Sequence, residues 1–189
     1  RMVPGFGLLD LDGLPRESYA AFVGATRALY SPQVEIVRGE VSGGFRTTPQ
    51  GIILHSTRST QLSGEIREYE GTVGWVGRGA DGVLGWNATI GPDRVALHMP
   101  PTQWGWNARE HSPRYLALEF AQARPGDAIS ARQVRAAAWW IEHEALREWP
   151  LLPHRLVEHR ELPAGVRDGK SDVGADQQIV ERLRTRLGW

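Results

Sequence analysis

The feature that most constrains the fold is the run Gly51-Ile-Ile-Leu-His55. A short, β-branched, wholly apolar segment reads as a strand buried on both faces, which needs covering layers above and below it. Three other stretches also read as strands. Val34-Glu-Ile-Val37 alternates apolar and charged residues. Arg114-Tyr-Leu-Ala-Leu-Glu-Phe-Ala121 puts Tyr115, Ala117, Glu119 and Ala121 on one face and Leu116, Leu118 and Phe120 on the other. Arg155-Leu-Val-Glu-His159 reads as a short strand or extended lead-in. Leu84–Ile90 and Val95–His98, turned by Gly91-Pro-Asp-Arg94, predict a hairpin.

Between these runs lie helical patterns. A helix is expected from Arg16 to about Tyr30, ended by Ser31-Pro32. A short one is expected from Ser63 to about Tyr69. Ser130 and Gln133 form a capping box opening a helix to about Trp149, which Pro150 stops. Asp176–Leu187 gives the last helix. The order of elements predicts a mixed α/β fold: a central mixed β-sheet flanked by helices. Length suits one domain, residues 32–189, preceded by an extension at 1–31 with one helix.

Composition narrows the function classes. Net formal charge is zero, which argues against a broad electrostatic footprint for nucleic acid. No apolar run approaches a membrane span, and the N-terminus lacks the pattern of a signal peptide. The chain has no cysteine, so disulfides and thiolate metal sites are excluded. A monomer is the default expectation.

Histidine and carboxylate remain as metal donors. His55 and His159 each end a short β-like run, so neighbouring strands can bring both imidazoles to one sheet end. Asp172 follows on a glycine-bordered loop. Two neutral imidazoles and one carboxylate suit a catalytic zinc ion, which leaves its fourth position open. The bland alternative is a core histidine with internal partners and an aspartate capping a turn. His154 is the rival donor; its loop setting after Pro153 favours His159. Glu119 is a lone carboxylate in an apolar strand, either paired or poised as a general base. Among 21 arginines stands one lysine, Lys170, two residues before Asp172. It is either a surface cation or a donor to an oxyanion. The chain has eight tryptophans; core packing accounts for many, and those near glycine-rich loops could face a ligand.

From about Val34 onward the chain resembles the zinc-dependent N-acetylmuramoyl-L-alanine amidases, a superfamily that includes peptidoglycan recognition proteins and phage endolysins. Ile52-Ile-Leu-His-Ser-Thr57 resembles the first strand with its metal histidine. Leu84-Gly-Trp-Asn-Ala-Thr-Ile90 stands where the family has Tyr-His before an aliphatic pair. Tyr115-Leu-Ala-Leu-Glu119 resembles the strand bearing the base. Glu158-His-Arg-Glu161 with Gly169-Lys-Ser-Asp-Val-Gly174 resembles the His-Arg-acid and Lys-x-Asp-Pro-Gly signature. Trp86 and Asn87 depart from the Tyr-His pair, Val173 from the proline, and Trp104 lacks the histidine that usually follows.

The resemblance implies Zn2+ on His55, His159 and Asp172, with Glu119 and Lys170 catalytic. It implies cleavage between the muramoyl lactyl group and L-alanine of peptidoglycan, by a secreted or phage-delivered protein acting on the bacterial wall. Thr57, Arg58, Trp86, Asn87 and Trp104 are the expected groove residues. The alternative it leaves open is a module that binds peptidoglycan without cutting it.

Overall fold

The computed structural model describes residues 30–38, 43–57, 64–79, 85–125, 127–173 and 178–189. The expected helix from Arg16 lies outside these residues, as does Arg58.

Eight strands are described: β1 (Gln33–Ile36), β2 (Gly44–Phe45), β3 (Ile52–Ser56), β4 (Ala88–Gly91), β5 (Arg94–Leu97), β6 (Gln103–Trp104), β7 (Leu116–Phe120) and β8 (Leu156–Glu158). Six form one sheet in the order β1-β5-β4-β7-β3-β8, while β2 and β6 make a separate ribbon. β4, β7, β3 and β8 run parallel. β5 returns antiparallel to β4, and β1 pairs parallel with β5. The sheet is therefore mixed; β3 is flanked directly by β7 and β8 and is buried throughout.

The helices are α1 (Glu65–Gly77), α2 (Ala131–Trp140), α3 (Pro163–Arg167) and α4 (Ile179–Leu187). The expected alternation along β7 becomes two unequal faces. Leu116, Leu118 and Phe120 join Ile52, Leu54, Ala88 and Ile90 under α2 and α4, through Val134, Ala137, Trp140, Ile179 and Leu183. Each fully buried Leu, Ile or Phe side chain contributes roughly 1.5–3 kcal/mol, so this face holds most of the apolar stabilisation. The opposite face carries small residues. Ala96 and Ala121 meet Tyr69 and Val73 of α1, and Ala117 meets Val76 and Trp86.

Three expectations change in detail. α1 extends eight residues past the expected end at Tyr69, through Gly71 and Gly74 to Gly77. A Cβ at Gly77 would come within 3.3 Å of Val37 Cγ1, so helix-breaking glycine here permits a close approach. The helix from Ser130 has the expected reciprocal capping box, but it passes through a π turn at Ile141–Ala145 before its last turn, Leu146–Glu148. Beside that turn, His143 Nδ1 lies 2.9 Å from the Trp139 carbonyl, and its ring stacks on Trp139. β4 begins only at Ala88; Asn87 before it bonds through its side chain as well as through its backbone, whose N–H donates to Ala117 O and whose C=O accepts from His98 N–H. Its Oδ1 accepts from Ala117 N–H (3.0 Å), and its Nδ2 donates to Pro100 O and Gln103 O.

The β4–β5 turn centres on Pro92 and Asp93, with Asp93 at φ 57°. Proline followed by a positive φ is the type II pattern. Asp93 then pairs with Arg132 (2.7 Å) and Arg135 (3.1 Å), fastening the hairpin to α2.

Candidate metal centre

The site forms at the carboxyl end of the parallel strands, where open α/β sheets place their ligands. β3 pairs with β7 so that His55 lies opposite Glu119, and with β8 so that Leu54 lies opposite Glu158. The next residue on each side is then level, and His159, leading out of β8 into a 3-10 turn, comes beside His55. Their rings meet edge to face with centroids 4.6 Å apart. Sequence spacing of more than a hundred residues is thus closed by strand register alone.

Asp172 completes the cluster. Its Oδ2 lies 3.1 Å from His159 Nδ1 and 4.0 Å from His55 Nδ1. One donor atom from each of the three residues falls within 4.8 Å of the others. Tetrahedral zinc with bonds near 2.1 Å holds its donors about 3.4 Å apart, so modest closure would seat an ion. His154, the rival donor, instead stacks flat on Trp189, with centroids 4.2 Å apart.

The electrostatics suit a cation. Burial, then the charge of His159, pushes His55 down to about 3, against the opposing pull of Asp172. Burial raises the Asp172 carboxyl, but the His159 hydrogen bond and the charges of His55, His159 and Lys170 outweigh it and hold it below the ordinary range. Near neutral pH the cluster therefore offers an unprotonated imidazole at His55 and an ionised carboxylate, the forms that bind metal. His55 Nε2 and His159 Nε2 are both buried without a hydrogen-bond partner. Buried polar atoms left this way are uncommon; in both rings it is the other nitrogen, Nδ1, that faces Asp172.

Two supports hold the three candidate donors in place. α3 lies so close under His159 that a Cβ on Gly165 would sit 1.9 Å from the His159 carbonyl oxygen. On the other side, Val173 N–H donates to Ser56 Oγ at 2.9 Å, tying the residue after Asp172 to the residue after His55. Val173 is fully buried and has φ 56°, an outlier for a β-branched residue. Proline could not adopt that φ or donate that hydrogen bond.

The other expected site residues divide. Glu119 is 7% exposed and projects to the same sheet face as His55. Lys170 lines a cavity of about 420 Å³ with His159, Trp106, Asn107, Arg109 and Asp168, and its charge reaches His55 and Asp172. Thr57 bonds to Gln122, its Oγ1 accepting from Gln122 N–H at 3.1 Å. Trp86 is 8% exposed, and its Nε1–H donates to Thr89 Oγ1. Asn87 is 1% exposed and spends its amide on backbone groups. Trp104 packs edge to face on Trp106, and it is Trp106, 45% exposed, that lines the cavity. Arg109, at φ 50°, also lines it and is fixed by a 2.6 Å ion pair to Asp168. The groove residues expected from the sequence did not include Trp106, Asn107 or Arg109. They lie on a loop whose position comes from tertiary contacts, above all from Arg46, whose guanidinium donates to the carbonyls of Pro101, Gln103, Ser112, Pro113 and Tyr115.

No protein-family description and no curated protein matches this sequence. Solved structures do match in backbone. An N-acetylmuramoyl-L-alanine amidase endolysin, LysCS from Clostridium intestinale, aligns at TM-score 0.56 and 15% identity over 84% of this chain and 97% of that one. The Staphylococcus aureus hydrolase AmiA, solved with its ligand, aligns at 0.58 and 16% over 96% and 98%. The ectodomains of peptidoglycan recognition proteins LCa and LCx, solved with tracheal cytotoxin, give 0.59 and 14% over 80% and 95%.

The chain has the amidase and peptidoglycan-recognition fold. At these identities the likeness is one of fold, and the chemistry rests on the residues above.

Proposed function

We propose that this chain is a zinc-dependent N-acetylmuramoyl-L-alanine amidase, hydrolysing the amide between the muramoyl lactyl group and L-alanine of peptidoglycan. The observation that carries the reading is the convergence of His55, His159 and Asp172 at the carboxyl end of the sheet, beside the buried Glu119. The fold supports it, since amidases and peptidoglycan-binding proteins share this backbone.

Zinc held by these donors would supply a polarised carbonyl and a water acidified towards neutrality. The protein's own groups do the rest. Glu119 takes the proton of the attacking water and passes it to the departing amine. Lys170 places an ammonium charge where negative charge develops on the carbonyl oxygen. The cavity beside them, about 420 Å³ and open to solvent along Trp106 and Arg109, is where the substrate lies. Its place of action is then the bacterial wall, as a cell-wall lytic enzyme of endolysin type. Among the described residues no helix is long and apolar enough to cross a membrane.

A module that binds peptidoglycan without cleaving it needs neither a complete donor trio nor a base. The presence of both favours the enzyme. His159→Ala should abolish stoichiometric zinc and peptidoglycan cleavage together. Cleavage retained by that variant would overturn the scheme.

A further inference from the structure

We infer that Asn107 is the positioning residue of the zinc ligand His55, accepting the ring's Nε2–H and thereby directing Nδ1 at the metal. The inference rests on the metal-centre reading above and adds to it a residue that reading does not use. The His55 nitrogen that faces Asp172 is Nδ1. A ligating nitrogen carries a lone pair, so the ring proton must sit on Nε2. That atom is buried and has no partner of good geometry. Ligating histidines nearly always give this second N–H to an acceptor, which fixes tautomer and ring angle.

Asn107 supplies the matching acceptor. Its Nδ2 donates to two carbonyls, Gly85 O and Gly105 O, each at 2.9 Å. Two carbonyls accept only from the NH2 end, so the amide cannot be flipped. Its Oδ1 is thereby fixed on the opposite side. Oδ1 is also buried and has no partner of good geometry. An orphaned donor on His55 and an orphaned acceptor on Asn107 are therefore both left buried. The Asn107 side chain is near enough to the His55 ring to favour its protonated form, as an acceptor must.

The anchoring is good enough for the task. Asn107 N–H and Ala108 N–H both donate to Ser112 Oγ, at 3.2 and 2.9 Å, and Ser112 is itself fully buried. The amide thus hangs from a rigid turn, and the loop carrying the cavity wall is coupled to the metal through one hydrogen bond. A neutral amide acceptor leaves the zinc more electrophilic than a carboxylate in its place would, because it returns less charge to the ring.

The test is zinc affinity, measured by competition against a chromophoric chelator in the full chain, alongside the imidazole N–H resonances of the zinc-loaded protein. Asn107→Ala should bind zinc about 10- to 100-fold more weakly and lose the slowly exchanging His55 Nε2–H signal, assigned by its absence in His55→Gln. Asn107→Asp keeps the acceptor but loses the donors to Gly85 and Gly105. Positioning predicts that it retains zinc more tightly than Asn107→Ala; a purely structural role predicts that both fail alike. Wild-type affinity in Asn107→Ala, or equal loss in the two variants, overturns the inference and leaves the proposed function standing. Absence of zinc binding by the wild-type chain would instead remove the metal-centre reading itself.

Discussion

Glu119 and His98 show how one sheet face carries groups of different purpose. Thr89 lies opposite Glu119 in register, and Thr89 Oγ1 meets His98 Nε2 at 2.8 Å, while His98 Nδ1 meets Val37 O at 2.6 Å. A carbonyl only accepts, so Nδ1 carries the proton and Nε2 accepts from the threonine hydroxyl. Trp86 Nε1–H then bonds to the same hydroxyl oxygen. The chain is satisfied at each member, and His98 is structural. Burial lowers its pKa against the pull of Val37 O and Glu35. As pH falls below the ordinary value of 6.5, the unfolded chain therefore takes up the proton first. Stability from neutral His98 is full above that value and declines towards the lower folded one. Denaturant midpoints measured across that window should fall with pH, and fall less steeply in His98→Gln. In the proposed reaction Glu119, also buried on this face, is the general base. Glu119→Gln should keep zinc and thermal stability and lose about 10²- to 10⁴-fold in turnover; loss of zinc would make it a ligand instead of a base.

At the scale of elements, the site depends on how closely α3 approaches the strand end. Gly→Ala within a helix ordinarily stabilises by roughly 0.5–1 kcal/mol. At Gly165 the added Cβ would meet the His159 carbonyl at 1.9 Å, and overpacking of that kind costs about 1–3 kcal/mol. The steric effect wins. Gly165→Ala should melt at lower temperature and bind zinc more weakly than wild type; a higher melting temperature would show that α3 can retreat without moving His159. The strands that carry ligands were readable because their apolar runs are short and end at the histidines. The Ser130–Gln133 cap was equally plain, since it is a local exchange of hydrogen bonds. The π turn, the length of α1 and the late start of β4 were not. The last two depend on distant partners: Val37 for Gly77, and Ala117 with the loop after Pro100 for Asn87.

For the molecule as a whole, the same division holds. A mixed sheet covered by helices follows from the pattern of runs, and the metal trio follows from residue chemistry joined to a family likeness. The groove does not. Trp86 and Trp104 were the tryptophans expected to face substrate, yet it is Trp106 that lines the cavity. Period-two reasoning cannot place a side chain on a loop whose path is set by Arg46 and five carbonyls. The central claim is that these parts together hydrolyse one amide bond with the help of a metal. Its most direct test is mass analysis of the fragments released from purified peptidoglycan, with and without a zinc chelator. The account predicts stem peptides with free L-alanine amino termini, released only when zinc is present. Fragments cut within the glycan or elsewhere in the peptide, or release unaffected by the chelator, would contradict it.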